Sequence, residues 1–430
     1  MLWDTNPDIV DIASHMCATL ISKARIFDGV SVISECGYVM IESGRITQIS
    51  LREPLSPSSP CTVVDASGCT LLPGLIDAHM HVFQDVELLE IAMRYGVTTV
   101  LDLHNEPEWF KALSAIAGER KDVADIKSAC YAATIKNGWP SAIVKLVSQE
   151  PNIDDRIAKW PNLTDKKSIE EYIARNKAAG ASFVKLMQED GYTMGLPFPE
   201  VPVPTPSLEL QKSIVDTAHE NGMLTIAHAL SNHSTLHVLK AGVDGLTHVA
   251  IDPITDELIQ AYKKNNAFVI PTLAVQTSCR GVEQETREKF ASDLEGEERK
   301  HLCGCLNITK QEFSIEAAYA QVTALKESGI DVLCGTDTSA DLKGTRAGAS
   351  VHHELWLYVN RCHFTPLEAL VSATSKIADR FGFSDRGKIE EGRLADLLLV
   401  AGDPVQSIDA LRDIKGVWRN GERLAQEKLM

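Results

Sequence analysis

The chain has 430 residues, of which 44% are hydrophobic and 23% charged, the balance of a globular protein with a large core. Its net charge of −17 speaks against a nucleic-acid or anionic-membrane partner, since both need a cationic face. The opening residues MLWDTNPDIVDIASHMCATLI do not read as an export signal, and no apolar stretch reaches the roughly 20 residues of a membrane helix.

Two β-rich segments come first, residues 18–29 and 37–50, the second turning at Glu42-Ser43-Gly44-Arg45. A Pro/Ser loop follows at 54–60. The far end has the same character: 395–400 and 414–424 read as strands, the latter turning at Asn420-Gly421. Short strands at both termini predict a small β-sandwich domain assembled from residues 1–70 and 386–430. Ten cysteines, Cys130 and Cys334 among them, show no paired framework, which favours reduced thiols and a cytoplasmic setting.

The middle, 71–385, alternates short apolar strands with helical runs. Strand candidates are 70–81, 97–103, 126–134, 182–187, 223–229, 244–249, 267–273 and 331–337. Helical runs at 207–222 and 312–329 each end in glycine. Eight strand–helix alternations predict an α/β fold, a (β/α)8 TIM barrel; no G-x-G-x-x-G supports a doubly wound sheet. The charged stretch 281–305 is predicted to be a solvated helical insertion.

In Asp77-Ala78-His79-Met80-His81 the strand period of two puts His79 and His81 on one face, at the strand's C-terminal end. Active sites of this barrel lie at that end, and paired imidazoles chelate divalent ions. Alone, an H-x-H pair is weak. Other candidates fall at matching positions, however: His228 ends the fifth strand, His248 the sixth and Asp337 the eighth, while Lys185 sits inside the apolar fourth, where a lone ammonium is costly.

The order H-x-H, Lys, His, His, Asp on strands one, four, five, six and eight is similar to that of the binuclear amidohydrolase superfamily. LLPGLIDAHMH and KIEEGRLADLLLVAGDP resemble its borders in imidazolonepropionase-like and prolidase-like members. FVKL, AHA and GTDTSADLKG…HHELWLYV…FTPLEAL most resemble the prolidase-like group with a carbamylated lysine, which includes a fungal ochratoxinase. The resemblance implies two divalent ions per chain, zinc by the nitrogen-rich donors, with manganese, cobalt or iron as alternatives. It implies a CO2-derived carbamate on Lys185 bridging them, with His79, His81 and Asp337 on one ion and His228 and His248 on the other. Asp337 then doubles as general acid/base, and His248 leans toward the substrate carbonyl. The implied activity is hydrolysis of an amide in a small molecule, an N-acyl amino acid such as an ochratoxin-type amide, or a dipeptide. Lactone, cyclic-amide or carbamate hydrolysis, or a non-hydrolytic step, is the alternative; a metal-free scaffold is a third reading, against which the intact ligand set counts. A homo-oligomer is also implied.

Several other residues admit two readings. Tyr192, in the loop after the fourth strand, is a substrate-binding candidate or an ordinary loop aromatic. His104 either lines the pocket or sits on a surface loop. His233 and His237, at i, i+4, suit a helix face better than a ligand pair. His352 and His353 either contact substrate or, the better reading, begin a helix, and nearby Arg346 is a candidate for binding a carboxylate. His301, Cys303 and Cys305 could mimic a zinc site but read better as incidental. The loop 195–207, with five prolines, is expected to wall or cover the barrel mouth.

Overall fold

The computed structural model describes residues 18–57, 60–148, 150–195 and 202–429. Residues 196–201 of the Pro-rich loop lie outside the described residues. Ala18–Phe27 pairs antiparallel with Val32–Glu42, which turns into Arg45–Ser50 through Ser43 (φ 50°) and Gly44 (φ 80°). Those are the two left-handed positions of a tight hairpin turn. Asn420 (φ 49°) and Gly421 (φ 78°) make the matching turn between Ile414–Arg419 and Glu422–Arg423. The turns touch: a Cβ on Gly44 would fall 2.6 Å from the Asn420 side chain.

Both chain ends share one eight-stranded sheet. Its order runs Glu422–Arg423, Ile414–Arg419, Leu397–Ala401, Cys69–Pro73, Ala18–Phe27, Val32–Glu42, Arg45–Ser50, with Cys61–Asp65 also paired to Ala18–Phe27. Period two divides its residues between two cores. Leu397 and Leu399 join Ile21, Ile26 and Trp418 in one, while Leu398 and Val400 pack into the main core of the central region.

In that region Leu75–Met80, Val97–Asp102 and Asp125–Ser128 form one parallel sheet, and Phe183–Met187, Leu224–His228, Gly245–Thr247 and Phe268–Ile270 another. Hydrogen bonds join the sheets at both edges. Ser182 N donates to Ser128 O and Ala133 N to Lys185 O. On the other side the predicted eighth strand has no regular ladder, only isolated bridges at Val332 and Thr338. Even so, Leu333 N donates to Val269 O, Ala78 N to Cys334 O and His81 N to Thr338 O, completing the circuit.

Element ends moved where local chemistry decided them. The third strand stops at Ser128 because Cys130 takes φ 53°. Leu208–Glu220 starts where Ser207 accepts from Leu210 N, and Ile315–Glu327 where Ser314 accepts from Glu316 N. The charged stretch is helical at Gln284–Phe290 and Gly296–Cys303 but not simply solvated. Arg287 is fully buried, donating to Thr277 Oγ1 and Cys305 Sγ, with Phe290, Leu294 and Leu302 buried beside it. The nine described cysteines are all unpaired, and no described helix is long and apolar enough to cross a membrane.

An ion cluster of two buried arginines, a half-buried aspartate and a half-buried lysine ties the terminal sheet to the central region. Asp125 lies 2.6 Å from Arg386, 3.0 Å from Lys127 and 3.4 Å from Arg419. Burial alone would raise the Asp125 carboxyl, but Arg386, Lys127 and Arg419 outweigh it and hold it down to about 2. A carboxyl depressed on folding adds stability above its unfolded value near 4, and that stability fades as pH falls toward 2. The contribution is roughly 2 kcal/mol at neutral pH. Asp125→Asn should therefore show a smaller loss of unfolding free energy between pH 6 and 3 than the parent chain. Parallel urea titrations giving equal losses would contradict this.

Candidate metal centre

The first strand carries His79 and His81 to its C-terminal end. Asp77 fixes that end: its Oδ1 accepts from His79 N (3.1 Å) and Thr336 N (3.0 Å), its Oδ2 from Thr336 Oγ1 (2.7 Å). One buried side chain thus pins the first strand against the segment bearing Asp337. Burial pushes the Asp77 carboxyl up to about 7.

His79 Nε2 and His81 Nε2 stand 3.3 Å apart, and Asp337 Oδ1 lies 3.2 Å from the first and 3.1 Å from the second. Donors about 2.1 Å from a tetrahedral ion stand roughly 3.4 Å from one another, so this triangle fits a single divalent ion. His248 Nε2 lies 4.0 Å from Asp337 Oδ2, its ring 5.2 Å from that of His79 and 4.5 Å from that of His228. His79, His248 and Asp337 also form a compact group able to share an ion. His248 (φ 71°) and Asp337 (φ 57°) hold left-handed backbone, which places their side chains at the mouth at a cost in strain.

Lys185, 1% exposed, donates to Thr247 Oγ1, and burial lowers its amine to about 7. Burial, with the charges of Lys185 and His81, lowers His79 and His228 well below the ordinary histidine value; burial and His228 do the same to His248. Burial would raise Asp337, but the hydrogen bond from His81 and the nearby Lys185 amine outweigh it and hold the carboxyl below its ordinary value. Neutral imidazoles beside an ionised carboxylate are the protonation states that bind metal. The six side chains named from the sequence converge on one cavity of about 1250 Å³, its open mouth included.

Other expected residues divide. His104 lines the cavity, its Nδ1 accepting from Ala132 N at 3.0 Å. Tyr192 is 52% exposed and absent from the lining, its ring set against Phe313 and His233; Thr193 and Met194 line instead. His233 is an exposed neighbour of Asp190, and His237 a half-buried one of Ser207. His352 and His353 are buried away from the cavity, on Tyr95 O and Thr286 Oγ1. Arg346 pairs with Glu298, outside the lining. His301 meets Leu342 O and Cys305 meets Arg287, so those side chains have separate partners.

Sequence reasoning missed Glu189, which is 1% exposed and raised by burial to about 8. Its Oε2 lies 3.6 Å from His228 Nε2, and neither atom has another partner among the described residues. A carboxyl group beside that nitrogen leaves His228 Nδ1 as the ring nitrogen available to a metal. An acidic residue four positions after the lysine was the available signal. Also missed were Arg156, Arg280 and the apolar wall of Trp139, Ile143, Val144, Val147, Leu306 and Ile308.

A Mycobacterium bovis protein of uncharacterized role is 25% identical over 383 residues, covering 86% of this chain and 88% of its own. The solved structure of a Xaa-Pro dipeptidase superposes with a TM-score of 0.72 at 20% identity, covering 95% of this chain and 99% of its own. Aspergillus niger ochratoxinase superposes with a TM-score of 0.70 at 18% identity, covering 95% of each chain. These likenesses establish a shared fold. Residues 70–424 match the amidohydrolase family, and with the histidines and aspartate of that stretch gathered at one cavity, the chain belongs to that family.

Proposed function

We propose that the chain hydrolyses the amide bond of an N-acyl amino acid, using two divalent ions held at the mouth of a (β/α)8 barrel. The terminal sheet is the flanking β-sandwich-type domain. The observation that carries the reading is the His79–His81–Asp337 triangle, with Lys185, His228 and His248 beside it in one apolar-walled cavity. Both zinc and a carbamate on Lys185 suit this donor set, which is rich in nitrogen and carries a buried amine.

His79, His81 and Asp337 would hold one ion, His228 and His248 the other, and a carboxylated Lys185 both. When bound, such a pair supplies Lewis acidity toward water and toward the scissile carbonyl. Asp337 Oδ2, turned from the triangle toward His248, takes the proton of the attacking water and returns it to the departing nitrogen. His248 is held by Thr272 Oγ1 at its Nδ1, 2.6 Å away, so its Nε2 stays aimed at the cavity. Glu189 orients His228. The apolar wall excludes bulk water and strengthens each of these interactions.

Metal analysis should give about two ions per chain, and a chelator should abolish hydrolysis of N-acyl amino acids assayed with zinc and bicarbonate. A metal-free chain of undiminished activity would overturn the reading. So would a substrate panel in which lactones or carbamates turn over and no amide does.

A further inference from the structure

Two arginines reach the cavity wall, and they differ in what neutralises them. Arg156 is committed: its Nε lies 2.8 Å from Glu106, its Nη1 2.8 Å from Glu150, and its guanidinium 4.6 Å from the ring centroids of both Phe83 and Trp109. Two carboxylates against one cation leave that corner net negative, although Arg156 Nη2 itself has no partner.

Arg280 ends the helix Leu273–Arg280. Its Nε donates to Phe313 O at 2.8 Å and its Nη2 to Gln311 O at 3.5 Å, and no carboxylate pairs with it among the described residues. The two carbonyls orient the guanidinium without cancelling its charge, and Nη1 has no hydrogen-bond partner among the described residues. In a chain with 59 acidic residues against 42 lysines and arginines, a half-buried arginine without an acid is not a matter of surplus cations. On an apolar wall such a charge is unfinished until an anion meets it, and a guanidinium meets a carboxylate through strong, paired hydrogen bonds.

We propose that Arg280 receives a carboxylate carried by the substrate, which makes it the residue that selects N-acyl amino acids over neutral amides. Arg346, the carboxylate candidate from the sequence, is occupied by Glu298. The proposal rests on the amide-hydrolase reading for the scissile bond, but the anchoring itself can be measured without turnover.

The probes are N-benzylsulfonyl-phenylalanine, a non-hydrolysable analogue, and its counterpart lacking the carboxylate, N-benzylsulfonyl-2-phenylethylamine. Calorimetry on the metal-loaded enzyme should show the first binding about tenfold or more tighter. Arg280→Met should reduce that preference to within about twofold, and Arg280→Lys should keep part of it, with thermal melts confirming that both variants fold. Equal affinities in the parent enzyme, or a preference that survives Arg280→Met, would overturn the assignment. Turnover of the matching N-phenylacetyl pair separates the two readings. Hydrolysis without carboxylate preference removes only the role of Arg280, whereas anchoring without hydrolysis removes only the amidase reading.

Discussion

Lys185→Ala is expected to lower kcat for an N-acyl amino acid by roughly 10²–10³-fold or more, and to regain part of it in added acetate or propionate. The side chain is 1% exposed in the strand Phe183–Met187, with Thr247 Oγ1 as its hydrogen-bond partner. An ammonium there would face His79, His228 and His248 as well as any bound cation, an arrangement that burial makes expensive. Reaction with CO2, as proposed, would convert the amine into an anionic oxygen donor and reverse the sign of the interaction. Alanine removes the donor and leaves space that a short carboxylate can fill. Lys185→Arg retains the charge without the chemistry, so it should be inactive and not rescued. Metal content, measured alongside kcat, should fall in both variants and recover with added carboxylate in the alanine variant alone. Undiminished turnover of Lys185→Ala without additive would remove the bridging role.

The second large effect is expected at Asp337. Asp337→Asn preserves the shape of the side chain, so the backbone hydrogen bond from Asp337 N to His79 O should persist. What is lost is the negative charge 3.2 Å and 3.1 Å from the two histidines and the basic oxygen turned toward His248. Losing a general acid/base costs about 10²–10⁴ in rate, and kcat should fall by at least that much while the melting temperature changes little. Since an amide oxygen can still ligate weakly, the assay should be run at saturating metal, which separates lost proton transfer from lost metal. A near-normal kcat under those conditions would exclude Asp337 as the proton carrier.

The amino-acid order alone carried the alternation of strands and helices, the hairpin turns at Ser43-Gly44 and Asn420-Gly421, and the six side chains at the mouth. These are local or periodic properties: a strand repeats every two residues, a left-handed turn favours glycine or asparagine, and a polar residue closing an apolar run stands out. Even the irregular eighth segment was legible, because Cys334 and Leu333 are apolar where the circuit needs burial.

Tertiary structure alone decided which charges are satisfied. Asp77 reaches Thr336 across 259 positions, Glu189 meets His228, Arg156 is spent on Glu106 and Glu150, and Arg346 on Glu298. Tyr192 turned outward, and Arg280 has no acid against it among the described residues, for the same reason. Long side chains pair with whatever the folded backbone brings within a few ångströms, and no period or spacing in the chain encodes that. The sequence therefore determined which six side chains gather at the cavity, and folding determined which charges around them find a partner among the described residues.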